Sequence, residues 1–117
     1  MKIFKKLAIS VVTIYANYLY KKAVKMADER YEKEHTMIYV ASKTFHPDYL
    51  TTYDKRRFKM EKSVFGYHAR LLTLETLKNG CYYHTPDKAG NQKMGEREKE
   101  RRRQYFIRER LQKAKLI

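Results

Sequence analysis

Cysteine occurs once in the 117 residues, at Cys81, so no disulfide can close within the chain and a four-cysteine zinc site is excluded. Tryptophan is absent, and only two prolines and four glycines interrupt the sequence. So little Gly and Pro excludes collagen-like and low-complexity architecture and leaves room for long unbroken helices. Acid is also scarce: 13 Asp and Glu stand against 27 Lys and Arg, for a formal net charge of +14. Charge of one sign at this density repels itself and weakens the compact state unless a polyanion compensates it. Hydrophobic residues still make up 43%, which is too many for a disordered chain. At this length there is room for one core, so residues 1–117 are read as a single small domain in a reducing compartment.

The signatures of catalysis are missing too. Neither a Walker phosphate loop nor GxGxxG occurs, and no Ser or Cys sits in a nucleophile-elbow context. Cys81 lies in an aromatic stretch, where a free thiol is usually just buried. Of the conceivable zinc ligands Cys81, His84, His35, His46 and His68, only Cys81 and His84 are close in sequence, and three residues apart on a strand they face opposite sides. Pro47-Asp48 and Pro86-Asp87 are not followed by the acid-x-Lys of a metal-dependent nuclease. The expectation is a protein that is not an enzyme and uses no metal or cofactor.

What is present is helix, a little strand, and cations. Residues 1–33 carry no Gly or Pro and read as one long helix. Its second half is amphipathic through Tyr20, Ala23, Val24, Ala27 and Tyr31. Its first half is apolar on most sides, apart from a polar stripe at Lys6, Ser10, Thr13 and Asn17. Six lysines and no acid fall within residues 1–25. A signal peptide, a transmembrane span and a helix packed on the domain, on a partner or on a membrane surface compete here. No clean cleavage site follows Leu7–Tyr20, and that run is short of the roughly 20 residues a span needs. Ile3, Phe4, Leu7, Val11, Ile14 and Tyr18 are the candidates for a partner or membrane face.

Residues 37–85 read as a small sheet with short helices. Met37–Ala41 is a strand, His46-Pro47-Asp48 a turn and Leu50–Tyr53 the returning strand, with a long basic and aromatic loop through Lys43, Phe45 and His46. Asp54 is expected to cap a helix over Lys55–Lys62 with Phe58 facing in, ended by Gly66; Thr73 caps another over Leu74–Lys78, stopped by a left-handed Asn79-Gly80. Cys81–His84 is a third strand, and Asp87–Gly95 a surface loop. Residues 96–116 form a charged helix, with acids early and Lys and Arg later, as the helix dipole favours. Ile107, Leu111 and Ala114 give it a stripe, with Phe106 beside it. Residues 96–104 offer no apolar side chain, which predicts a helix start projecting into solvent or onto a charged partner. The fold class is α+β: a long helix, about three antiparallel strands, short helices and a charged terminal helix.

The cations cluster twice. Arg97, Lys99, Arg101, Arg102, Arg103, Arg108 and Arg110 lie on the last helix; Lys55, Arg56, Arg57 and Lys59 lie beside Tyr49 and Tyr53. Arginine's planar fork suits phosphate, and 11 tyrosines offer stacking surfaces. The alternative is a solvated face in which Glu96, Glu98 and Glu100 pair with arginines three or four residues on. The chain-wide charge favours contact with nucleic acid, and without a sequence-reading motif that contact is to backbone phosphate.

The string Ala23-x-x-x-Ala27-Asp28-x-x-Tyr31, Tyr39-Val40, Leu50-x-x-x-Asp54-Lys55-x-Arg57-Phe58 and Cys81-Tyr82-Tyr83-His84-Thr85-Pro86-Asp87 with Gly90-Asn91 resembles small basic proteins of bacteriophages and mobile elements of gut bacteria. The resemblance implies a phage-borne accessory or virion component, cytoplasmic or virion-associated, and carries no catalytic residues. The readings that follow are a basic protein on nucleic acid or beside virion proteins; a membrane-surface or protein-interaction module using the first helix; and a small inhibitor of a host nucleic-acid enzyme.

Overall fold

The computed structural model describes residues 2–43, 46–65 and 73–117; for residues 43, 46–49 and 62–65 it describes the backbone alone. The elements run α1 (Lys2–Glu34), β1 (Tyr39–Lys43), β2 (His46–Tyr53), α2 (Lys55–Phe65), α3 (Leu74–Gly80), β3 (Tyr83–His84) and α4 (Glu96–Lys113). Among the described residues, helices combine with a wholly antiparallel sheet and no parallel β-α-β unit, an α+β fold. The three strands are antiparallel in the order β2-β1-β3, with β1 in the centre.

With no breaker in its sequence, α1 runs 33 residues, about 50 Å at the usual helical rise, and spans the longest dimension of the molecule at 50 Å. It stops at His35, whose φ of 51° places it in the left-handed region while its N–H still reaches the Tyr31 carbonyl at 2.8 Å. Histidine tolerates that conformation better than a branched residue would.

The pleat of β1 divides the core. Ile38 and Val40 face α1 and α4, meeting Ala16, Tyr20, Ala23, Val24 and Ala27 from α1 and Phe106, Ile107 and Leu111 from α4. Tyr39 faces the other way, with Tyr53 and Cys81, under Leu74 and Leu77 of α3. Three alanines on the buried stripe of α1 let the sheet and α4 come close, and aromatics fill what remains. Phe106 stands edge-on to Tyr82 with ring centroids 5.1 Å apart, and Tyr20 lies 6.2 Å away. The Tyr20 hydroxyl donates to the Tyr82 carbonyl at 2.8 Å. Burial raises the phenol pKa of Tyr20 and Tyr83 and pushes Tyr82 up to about 12.

Four expectations are corrected. His46-Pro47-Asp48 is not a turn: β2 begins at His46, and Lys43 pairs with His46 while Ser42 pairs with Leu50. Residues 47–49 therefore bulge out of the ladder, which an edge strand allows because Pro47 has no N–H to contribute. Lys43 and His46, expected in a long loop, are thus both strand residues; Phe45, like Gly66, lies outside the described residues. The helix before Cys81 includes Gly80 and has no left-handed cap; Cys81 ends it in extended conformation, with its N–H on Leu77 O. The third strand is Tyr83–His84 alone. Finally, the start of α4 does not project, because its charged side chains pack on the chain's own α1, α3 and β3.

Other local expectations hold. Asp54 Oδ1 accepts the Arg57 N–H at 2.7 Å, and Thr73 Oγ1 accepts the Thr76 N–H at 3.1 Å. In the loop before α4, Asp87 Oδ1 accepts the N–H groups of Ala89 and Asn91, and Gly90 supplies the φ of 80° that the turn requires. The Tyr31 hydroxyl ties that loop to α1 through Asp87 O at 3.1 Å.

Phe106 is 1% exposed between two tyrosines, so Phe106→Ala should lower unfolding stability by about 3–5 kcal/mol in a denaturant titration.

Candidate functional site

About 3.6 residues per turn sort the cations of α4 onto two sides. Arg97, Arg101 and Arg108 are exposed on the outer side. Lys99, Arg102 and Arg103 turn inward and are half-buried, with Arg110 also half-buried. Arg102 is more enclosed than Arg103, its side chain 13% exposed against 24%. Its Nε donates to Glu98 at 2.8 Å, and its Nη1 donates to the carbonyls of Cys81 at 2.8 Å and Lys78 at 3.0 Å. Those carbonyls close α3, so a cation sits where a helix C-terminus favours one. Arg103 reaches Asn17 of α1 at 2.7 Å and pairs with Glu100. Lys99 Nζ stands 5.5 Å from the centre of the Tyr83 ring.

The second cluster divides in the same way. Arg57 donates to Thr52 O at 3.0 Å and Thr51 Oγ1 at 3.1 Å, pairs with Glu61, and lies 4.6 Å over the Tyr53 ring. Lys55, Arg56 and Lys59 are exposed and have no ion pair among the described residues. With Thr36 and Asp54 they line an open depression of about 440 Å³. The sequence reading grouped all of these cations as phosphate ligands. Arg57, Lys99, Arg102 and Arg103 leave that set because carbonyls, carboxylates and aromatic rings of their own chain hold them. Lys55, Arg56, Lys59, Arg97, Arg101 and Arg108 remain presented outward. Arg101 is shared, since Glu98 also accepts from it at 2.9 Å.

One cation that sequence reasoning passed over is Arg30. It donates to Thr52 Oγ1 at 2.9 Å and Asp54 Oδ2 at 3.0 Å while pairing with Glu34, which fastens α1 to the end of β2. Its position among Asp28, Glu29, Glu32 and Glu34 was the available signal.

A concavity of about 550 Å³ between α1 and α4 is lined by Lys21, Lys25, Lys99 and Arg103 but also by Asp28, Glu29, Glu32, Glu96 and Glu100. Its mixed charge does not select an anion. Asp28 in it accepts from the Tyr83 hydroxyl at 2.7 Å.

The thiol and imidazole offer no joined chemistry. Cys81 Sγ donates to Lys78 O at 3.3 Å, and burial raises the thiol pKa against the lowering pull of Arg102. His84 is buried with Nδ1 2.9 Å from Thr85 O, and burial lowers its pKa, so the neutral ring is favoured with the proton on Nδ1. Among the described residues, no three His, Cys, Asp or Glu side chains converge as ligands for a metal ion; His68 lies outside them.

Ile3, Phe4, Leu7, Val11, Ile14 and Tyr18 are all exposed on α1, on the side opposite its buried stripe. Among the described residues no helix is long and apolar enough to cross a membrane. No family model, curated protein or solved structure matches the chain.

Two expected outcomes follow from the division of the arginines. Arg102→Ala removes the guanidinium donor from the Cys81 and Lys78 carbonyls, leaving Lys78 O only the thiol, and should cost about 2–3 kcal/mol of stability. Arg97→Ala or Arg108→Ala should stay within about 0.5 kcal/mol in the same denaturant titration. In acid, hydrogen bonds from Arg101 and Arg102 hold Glu98 down at about 2 from an ordinary 4.5. A depressed folded-state pKa contributes stability above the unfolded value and loses it as pH falls through the folded one. Stability should therefore decline from about pH 4.5 toward 2, and Glu98→Gln should flatten that decline in acid titrations followed by circular dichroism.

Proposed function

We propose that the chain is a non-enzymatic basic protein that contacts the phosphate backbone of nucleic acid through Lys55, Arg56, Lys59, Arg97, Arg101 and Arg108. The observation that carries the reading is the division of cations described above. The inward arginines are occupied within the fold, yet the net charge is +14 and these six side chains are left facing water. Three of the six line one depression, and the other three share one side of α4 over about 17 Å, which suits repeated contact along a regularly charged polymer. Such contacts fix position without reading bases, so affinity should be indifferent to sequence. The proposal rests on charge and geometry, and not on the resemblance to phage proteins.

Binding to random-sequence duplex and single-stranded DNA, measured across a salt series, tests it. Neutralising about six phosphates gives a slope near −5 in log affinity against log salt on duplex DNA. Arg97→Glu with Arg108→Glu should weaken binding equally for unrelated sequences and make the slope shallower by about 2, with thermal stability unchanged. Undetectable binding at low salt, or binding that does not respond to salt, refutes the proposal. Reversing Arg102 or Arg103 is not a clean test, because both hold the fold.

A further inference from the structure

Over residues 3–18 the outer side of α1 is an apolar stripe that the fold leaves bare. Phe4 is 76% exposed and Ile14 70%, on the side of the helix away from Ala16, Tyr20, Ala23 and Ala27. The stripe runs about 22 Å, and the rest of the molecule packs against the opposite side. Along it the chemistry changes in one direction. Ile3, Phe4, Leu7, Val11 and Ile14 come first, then the exposed tyrosines Tyr15 and Tyr18, then Lys21, Lys22 and Lys25 on the same side. In the first two turns, Lys2, Lys5 and Lys6 occupy the side opposite the stripe, where no part of the body covers them.

We propose that this face of α1 docks on an anionic phospholipid surface, with the helix lying in the headgroup region close to parallel with the membrane. In that pose the aliphatic groups of residues 3–14 dip toward hydrocarbon, Tyr15 and Tyr18 suit the interface, and the ammonium groups of Lys21, Lys22 and Lys25 on the same face reach lipid phosphate. Lys21, Lys22 and Lys25 on this face complement negative lipid, and residues 1–25 carry no acid to oppose them. Lysine is the right cation for this, a flexible hydrated point charge that can extend from an apolar stem to a headgroup.

The same charges argue against a second copy. Phe4, Leu7, Val11, Ile14 and Tyr18 have the alternating three- and four-residue spacing of a coiled-coil seam, but Lys21 and Lys25 continue that seam. A parallel pair would set those lysines against their own copies. A flat anionic surface meets the stripe without that conflict. Insertion across the bilayer is not implied, since no described helix is long and apolar enough for it. This surface is separate from the α2 and α4 cations, so either proposal can fail alone.

Flotation of the full chain with vesicles tests it. The protein should rise with phosphatidylcholine vesicles containing phosphatidylglycerol and stay in the bulk with phosphatidylcholine alone. Leu7→Glu with Ile14→Glu should cut the partition constant at least about tenfold, with circular dichroism, melting and DNA binding unchanged because both side chains face water. Lys22→Glu with Lys25→Glu should weaken flotation by reversing charge while leaving the stripe intact. The inference is overturned if the wild-type chain ignores anionic vesicles. It is also overturned if the Leu7/Ile14 variant floats like wild type, which makes attachment a matter of charge alone. A wild-type dimer that this variant converts to monomer overturns it as well, by assigning the stripe to a second copy.

Discussion

Arginine hydrogen bonds hold the separate elements of this molecule in register. Arg102 joins α4 to the end of α3, Arg103 joins it to α1, Arg30 joins α1 to β2, and Arg57 joins α2 to β2. Each guanidinium presents several donors in a fixed plane, so one side chain can answer a carboxylate on its own helix and an oxygen on a neighbouring element together. The apolar core sits between α1, the inner sheet face and α4, and supplies the burial. The arginines decide how the surrounding pieces meet it.

That arrangement explains how a chain with so large a net charge can be compact. Carboxylates lie beside arginines at helical spacing, as in Glu98 with Arg101 and Arg102 or Glu100 with Arg103, so the densest basic run carries its own counter-charge. The uncompensated remainder is largely lysine on exposed helix faces. Surplus of that kind costs less in the folded state because it is spread out and hydrated, and it stays available to an outside anion.

Much of the fold was legible before any coordinates. The absence of breakers through residue 33, the caps at Asp54 and Thr73, and the β-branched and aromatic run at 37–41 gave four elements close to their observed limits, because each depends on local rules. Pro47 misled, since its turn propensity is local whereas its place in β2 depends on that strand lying at the sheet edge. The start of α4 misled for a related reason. Without apolar residues its burial cannot be seen in a hydropathy pattern, and the stems of Lys99, Arg102 and Arg103 bury against partners that only the tertiary fold brings near. The candidate site was half legible: composition located the basic clusters, but which cations face inward depends on packing. The six-residue stripe on α1 was readable as a face, and its exposure follows from α4 and the sheet packing on the opposite side.

The sheet has one more consequence. Its two borders are β2, whose ladder is broken where residues 47–49 bulge out, and β3, which is two residues long. Neither border offers an uninterrupted row of free amides and carbonyls for a foreign strand to zip onto. A molecule that crowds onto a charged lattice or surface reaches high local concentration, where such zipping would convert loading into fibre growth. Here the blunted margins deny neighbouring copies such a row to zip along.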